Sequence, residues 1–188
     1  MEKKELLREK AIEVFAREGY HSTTVQMIAD EAGTAVGTVY NYFDNKKDIL
    51  NYIFAVEFNK RLNMLNQIKE MELTFKEKLI MFLKGHFNDL KNNINLATVL
   101  IQESTMPSKY QLEAVNDFTN KLPELFVEII EEAKQKGEIR NVDSKLIGHA
   151  VFRTIRGIAS VVIKDANYNF SDARQELINF FWIGLNKR

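Results

Sequence analysis

The stretch from Thr23 to Lys47 constrains this chain more than any other. It reads Thr-Thr-Val-Gln-Met-Ile-Ala-Asp-Glu-Ala-Gly-Thr-Ala-Val-Gly-Thr-Val-Tyr-Asn-Tyr-Phe-Asp-Asn-Lys-Lys. Val25, Ile28, Ala29 and Ala32 recur at i, i+3, i+4 and i+7, one apolar helix face about two turns long. Thr23 stands where it can cap that helix, and Gln26 three residues on completes a capping-box pattern. Gly33 follows where left-handed backbone ends a helix with least strain. A second helix is expected from about Ala35 to Tyr42, with Val36, Val39 and Phe43 inward. Small Ala29, the turn at Gly33 and apolar Val39 allow two short helices to cross closely, as a helix-turn-helix requires. A preceding helix from about Lys3 to Glu18, stopped by Gly19, offers Leu7, Ala11, Val14 and Phe15 on one face with Ile12 beside it. Three short helices are the least that will bury such a pair.

Thr-Thr-Val-x-x-Ile-Ala-x-x-Ala-Gly, followed by Gly-Thr-Val-Tyr-x-Tyr-Phe-x-x-Lys, resembles the DNA-binding domain of the TetR family of bacterial transcriptional regulators. The resemblance covers roughly residues 5 to 50. It implies an all-α protein with a helix-turn-helix DNA-binding domain over 1–46 and a helical ligand-sensing and dimerisation domain over 47–188. Operator double-stranded DNA, an apolar small-molecule effector and a second copy of the chain are the implied partners, and release of a repressor by its effector is the implied mode of action. Expected DNA contacts are Thr23, Thr24, Thr34, Ala35, Gly37, Thr38, Tyr40, Tyr42 and Lys46. Two positions depart from the pattern. Ala35 stands where the family often has a serine that caps the recognition helix, and Val36 where a polar or charged residue is common. Base preference therefore cannot be carried over.

Physical reasoning on the same stretch leaves some choices open. Gly37 inside a helix costs about 1 kcal/mol relative to alanine. Either DNA approaches its backbone or another helix packs there. Lys46 and Lys47 fall in the first turn of the next helix, behind Asn45 as its cap, where the dipole disfavours cations. Either a phosphate lies opposite them or they are solvated. The charge total does not advertise DNA binding: the chain is neutral overall, and residues 1 to 50 carry seven lysines and arginines against nine acids. A basic domain is the usual footprint of nucleic-acid binding, so affinity must come from where the charges lie.

After Lys47 the helical period continues in long segments: Asp48 to about Met71, Thr74 to about Lys91, Ile94 to Glu103, and Ser108 to Lys136. Pro107 marks a break before the last of these, Pro123 interrupts or kinks it, and Gly137 ends it. No strand-period segment of useful length and no repeat occurs. With 188 residues, 45% of them hydrophobic, and two prolines, the chain can fill a sizeable core and is not expected to be disordered. The absence of cysteine excludes disulfides, thiolate metal sites and cysteine nucleophiles. His21, His86 and His149 lack metal-ligand spacing. There is no phosphate-binding loop and no nucleophile elbow, and Glu128, Glu131 and Glu132 fit a solvated helix face. No catalytic site, metal or cofactor is expected. The N-terminal residues lack a signal-peptide run and the apolar runs are short, so a cytoplasmic protein without membrane spans is expected.

Between Asp143 and Lys164 the polar residues Lys145, His149, Arg153 and Arg156 form one narrow stripe, and most of the remaining circumference is apolar. Such a helix needs cover on several sides. With the last helix it suggests a four-helix interface between two copies through Ile147, Val151, Ile158, Leu177, Phe181 and Trp182, the internal core of a monomer being the alternative. Phe82, Phe87, Leu100, Phe118, Phe126 and Phe152, with adaptable Met81 and Met106, can line an apolar pocket or simply fill a core. His86, Gln102, Glu103, Arg153 and Arg156 can orient a head group or pair with each other. Scattered residues (His86-Phe87, Asn95-Leu96-Ala97, Glu103 and Lys136-Gly137-Glu138-Ile139) resemble the acyl-CoA-responsive repressors of fatty-acid degradation within the TetR family. A fatty acyl-CoA is the effector this implies. A multidrug-sensing repressor and a helical lipid- or acyl-binding module without DNA function are the competing readings.

Overall fold

The computed structural model describes residues 2–104 and 112–187. Met106, Pro107 and Ser108 lie outside the described residues. Among the described residues ten α-helices follow one another: α1 (Lys3–Glu18), α2 (Val25–Glu31), α3 (Val36–Tyr40), α4 (Lys46–Lys69), α5 (Phe75–Asn92), α6 (Ile94–Glu103), α7 (Glu113–Asn116), α8 (Leu122–Gln135), α9 (Ser144–Lys164) and α10 (Phe170–Leu185). Among the described residues there is no strand, only an isolated antiparallel bridge from Ile139 to Asn186. The all-α expectation holds.

Local chemistry explains most boundaries. Gly19 (φ +77°) ends α1, and its N–H bonds the Phe15 carbonyl at 2.9 Å. Gly33 (φ +59°) ends α2 in a Schellman motif: Thr34 N–H reaches Ala29 O at 3.0 Å and Gly33 N–H reaches Asp30 O at 3.1 Å. Asn45 caps α4 through Asp48 N–H, Asp143 caps α9 through Leu146 N–H, and Thr74 with Glu77 forms the box that opens α5. The long segment expected up to Lys136 is helical without a break from Glu113 to Gln135, and its irregularity falls just before Pro123. A π-helical stretch, Asp117–Lys121, leads into α8, whose first turn holds the buried Pro123. The widened turn just before it accommodates the donor that proline lacks.

The chain gathers into two compact units. The first comprises Met1–Phe58 and Asn93–Phe118. Here α1 packs on α2 and on α6, and α2 packs on α3. Leu7, Ala11, Val14, Phe15, Ile28, Ala29, Val39, Ile49, Ile53 and Phe54 are fully enclosed, and the Phe118 ring stands edge-on to Phe54 at 5.5 Å.

The second unit comprises Asn59–Asn92 and Thr119–Arg188. Its tightest pair is α8 with α9, and α10 lies against α5 and α9. A β-carbon added at Gly148 of α9 would stand 2.8 Å from the backbone nitrogen of Val127 on α8, so only glycine allows this approach. Helix α9 has the length and mean hydropathy (1.5) to cross a membrane by composition alone. It lies here against α8 and α10, with Val151, Phe152, Ile155 and Ala159 buried.

Candidate nucleic-acid interface and effector pocket

The two helices of the turn are built by short-range contacts. Thr24, not Thr23, caps α2: its hydroxyl accepts from Met27 N–H at 3.2 Å. The Thr23 hydroxyl turns back to donate to the Gly19 carbonyl at 2.8 Å, and the residue is buried, which removes it from the expected DNA contacts. Gln26 donates to Asp30 at 2.7 Å, so no capping box forms. Beyond the turn, Val39 and Phe43 are buried as expected and Val36 is half-buried. Ala35, Gly37, Tyr40 and Tyr42 are exposed, and Thr34 and Thr38 are half-buried. A β-carbon at Gly37 would meet nothing within 4 Å. Close packing inside the chain therefore does not account for this glycine.

Lys46 has a different role from the one expected. Its ammonium donates to the carbonyls of Tyr20, His21 and Thr23, each at 2.8 Å, and stands 4.8 Å from the centre of the Tyr20 ring. An ammonium has three donors, and all three are engaged, so none is left for a phosphate. The loop it holds is the link from α1 to α2. The same loop is met by Glu103, the last residue of α6, buried beside the Tyr20 N–H, with His21 and the Lys46 ammonium as neighbours. Burial raises the Glu103 carboxyl above its ordinary pKa despite those neighbours. Glu103 was expected in a ligand pocket; it belongs to the support of the reading helices. Leu100 of α6 and Phe118 lie in this unit as well, apart from the remaining expected pocket residues.

Most cations of the region are committed. Arg8 pairs with Glu5, Lys10 with Glu13, and Arg17 with Glu18 and Glu31. Lys4 lies over the rings of Tyr52 and Phe43. The Tyr52 hydroxyl donates to Glu5 at 2.6 Å and, with Arg8, holds that carboxyl below its usual range. Lys47, in the first turn of α4, remains exposed, with no ion pair among the described residues.

In the second unit an aromatic cluster surrounds His86. Phe82 stacks on its ring (5.5 Å, 10°), Phe126 meets Phe82 edge-on at 5.0 Å, and Phe87 contacts both His86 and Phe170. Arg61, buried on α4, donates its Nε–H to His86 Nδ1 at 3.3 Å. Burial, reinforced by Arg61 and Lys60, pushes the His86 pKa well below its ordinary value and keeps the ring neutral. Next to the cluster is an apolar pocket whose lining includes Leu65, Phe75, Leu79, Phe82, Phe126 and Val151, with the buried Lys78 tied to Lys69 O and Glu132. Its free space of about 10 Å³ is that of one water. Phe152 is buried nearby in the same unit and Arg156 is half-buried, its pKa lowered by burial and then by Arg153. Met81 is exposed and does not line the pocket. Sequence reasoning missed Leu65, Phe75, Phe170 and Arg61; the position of Phe75 directly after its Thr74 cap was the available signal.

The expected dimer residues divide. Val151, Leu177 and Phe181 are buried within the chain and cannot meet a second copy, because their faces pack on α8, α9 and α5. Ile147, Ile158 and Trp182 are half-buried. The exposed apolar residues stand elsewhere on the same two helices: Leu146 (70% exposed) and Val161 (45%) on α9, and Phe180 (66%) and Ile183 (79%) on α10. Ala150 and Gly157, also exposed, complete a stripe with Leu146 and Val161.

A short helix pair with an exposed second helix, preceded by a supporting helix and followed by an all-helical body with an aromatic interior, defines a helix-turn-helix regulator. The chain belongs to the TetR family. Residues 7–53 match the model of bacterial regulatory proteins of the tetR family, and residues 54–182 match that of the YsiA-like protein, C-terminal region. It is 29% identical over 180 residues to the fatty acid metabolism regulator protein of Bacillus subtilis, covering 95% of this chain and 93% of that one. Among solved structures it is similar to the fatty acid degradation regulator FadR of Bacillus halodurans (TM-score 0.89, 27% identity, 100% and 98% of the two chains). It is also similar to FadR of Bacillus subtilis in complex with stearoyl-CoA (TM-score 0.83, 31% identity, 94% and 96%). These relatives are transcriptional regulators, not enzymes.

Proposed function

We propose that this chain is a cytoplasmic homodimeric repressor that binds operator DNA through α2 and α3 and is released by a long-chain fatty acyl-CoA. Residues 1–46 read DNA, and residues 47–188 sense the effector and dimerise. Thr24, Thr34, Ala35, Gly37, Thr38, Tyr40 and Tyr42 face DNA, with Lys47 taking the phosphate role first assigned to Lys46. Phe82, His86, Phe87, Phe126, Phe152 and Arg156 surround the acyl chain, and the stripes of α9 and α10 join the two copies. The observation that carries this reading is the aromatic-lined pocket beside His86, in a chain similar over 94% of its length to a regulator whose structure is in complex with stearoyl-CoA.

A pocket with about 10 Å³ of free space is far below the roughly 300–1,000 Å³ of ordinary ligand sites. An acyl chain must therefore part the helices that line it. One of them is α4, through Leu65, and α4 begins at Lys46. A displaced α4 draws on the three carbonyls that Lys46 holds, and so on the entry to α2. A twofold dimer must present its α3 helices about 34–36 Å apart, or a multiple, to enter successive major grooves, so small shifts lose both half-sites together.

The test is linkage. If stearoyl-CoA weakens operator binding by some factor, operator weakens stearoyl-CoA binding by the same factor. Equal affinities for stearoyl-CoA with and without operator would refute effector release. Absence of binding would return the phenylalanines to ordinary core.

A further inference from the structure

The outward face of α3 is unusual in what it lacks. From Thr34 to Tyr40 no residue carries an amide, guanidinium, ammonium or carboxylate. Gln26 on α2 is engaged by Asp30, and Asn41 and Lys47 lie past the C-terminal end of α3. In a major groove, guanine is read by bidentate arginine or lysine and adenine by asparagine or glutamine; thymine is read through apolar contact with its C5-methyl. Recognition-helix residues near the N-terminus are the ones that reach base edges. Here those residues are Ala35, Val36, Gly37 and Thr38: three β-carbon or methyl-bearing groups around one bare backbone position.

The open space at Gly37 adds a second observation. Its missing side chain is not compensated by any neighbour within 4 Å, and its φ is not in the left-handed region, so neither packing nor backbone geometry requires glycine. What remains is an external group that must come close to the backbone. Between Ala35, Val36 and Thr38, a notch at Gly37 is matched in size and polarity by a methyl group.

We propose that α3 reads its half-site through thymine C5-methyl groups, with Gly37 as the receiving notch, so that sequence preference rests on methyl contact and not on bidentate hydrogen bonds. This rests on the DNA-reading role proposed above. The half-site it selects contains T·A pairs at the steps facing Ala35 to Thr38, and discrimination at those steps follows the methyl, not the pairing edge.

The test begins with selection of binding duplexes from a random pool by the full-length protein. Each thymine of the enriched half-site is then replaced by deoxyuridine, which keeps every hydrogen-bonding group and removes only the methyl. At two or more positions per half-site, each replacement is expected to weaken binding roughly fourfold, the equilibrium equivalent of one buried methylene. Val36→Ala is expected to lose affinity on the thymine site and little on the deoxyuridine site. Gly37→Ala, which meets no neighbour in the folded chain, is expected to keep its fold and lose more than tenfold. Equal binding to thymine and deoxyuridine sites would overturn the methyl reading and leave DNA binding intact. Enrichment of half-sites that depend on guanine at the α3 steps would do the same. Enrichment of no duplex would overturn both readings.

Discussion

Replacing Lys46 by methionine separates the two roles that this residue can play. The substitution keeps the aliphatic stem and removes the ammonium. Hydrogen bonds to a charged group contribute about 1.5–3 kcal/mol each when both partners are withheld from water. The Tyr20 and Thr23 carbonyls are part-buried and the His21 carbonyl is exposed, so water recovers much of that value. Allowing about 1 kcal/mol for each part-buried bond and about half that for the exposed one gives roughly 2.5 kcal/mol. The cation over the Tyr20 ring adds about 0.5 kcal/mol. A loss of about 3 kcal/mol corresponds to a fall in Tm of roughly 6–12 °C for a chain of this size. Urea and thermal unfolding measure the stability, and operator titrations at several salt concentrations measure the phosphate contacts. A phosphate contact contributes about 0.9 to the slope of log K against log salt. Lys46→Met is expected to leave that slope unchanged, whereas Lys47→Met, which removes one contact from each protomer of the dimer, is expected to reduce it by about 1.8 with stability altered by less than about 0.5 kcal/mol. Full stability in Lys46→Met together with a slope reduced by about 1.8 would refute the carbonyl-clamp assignment.

Gly148→Ala gains about 1 kcal/mol of helix propensity but drives a methyl into the Val127 backbone, an overpacking cost near the 3 kcal/mol end of its range; a net loss of about 2 kcal/mol is expected in urea unfolding. Gly157→Ala, with no neighbour in its own chain, is expected to stabilise the protomer slightly while weakening the dimer, measured by sedimentation across concentrations. Ile183→Glu is expected to yield folded monomers in sedimentation, and an intact dimer would move the interface off this face. His86 has a folded pKa well below the ordinary 6.5, so below about pH 6.5 the unfolded chain binds a proton that the folded chain does not. Stability is therefore expected to fall as pH drops from 7.5 to 5.5, and His86→Gln is expected to flatten that dependence.

The helical architecture was legible because helix period, caps and glycine stops agreed: Gly19, Gly33, Asn45, Thr74, Gly137 and Asp143 all stand at boundaries. What failed was the direction of individual side chains. Thr23 and Thr24 are adjacent and chemically equal, and only the turn after Gly19 decides which one faces the helix. Lys46 carries no sequence mark of its three carbonyl partners, which lie more than twenty residues away along the chain. On α9, and on α10 from Phe180 to Ile183, apolar residues fall on nearly every face, so periodicity cannot say which stripe is buried and which meets solvent. Gly148 and Gly157 read alike in sequence, yet one touches Val127 and the other touches nothing. The aromatic pocket was half-legible: Phe82, His86 and Phe126 do cluster, while Glu103 and Phe118, equally plausible by composition, are drawn to other partners.

The packing of α6 on α1 has a consequence for how such regulators can be recombined. The compact unit that holds α1 to α3 takes in Asn93–Phe118, separated from it in sequence by a segment that belongs to the other unit. A graft made with a single cut after α3, or anywhere along α4, would give the transplanted α1 a foreign surface in place of α6. A working chimaera needs three splice points, so that α6 travels with the helices it supports. The same bookkeeping predicts that substitutions in α6 co-adapt with those in α1 when a new sensor is acquired, although the two helices lie about ninety residues apart in the chain.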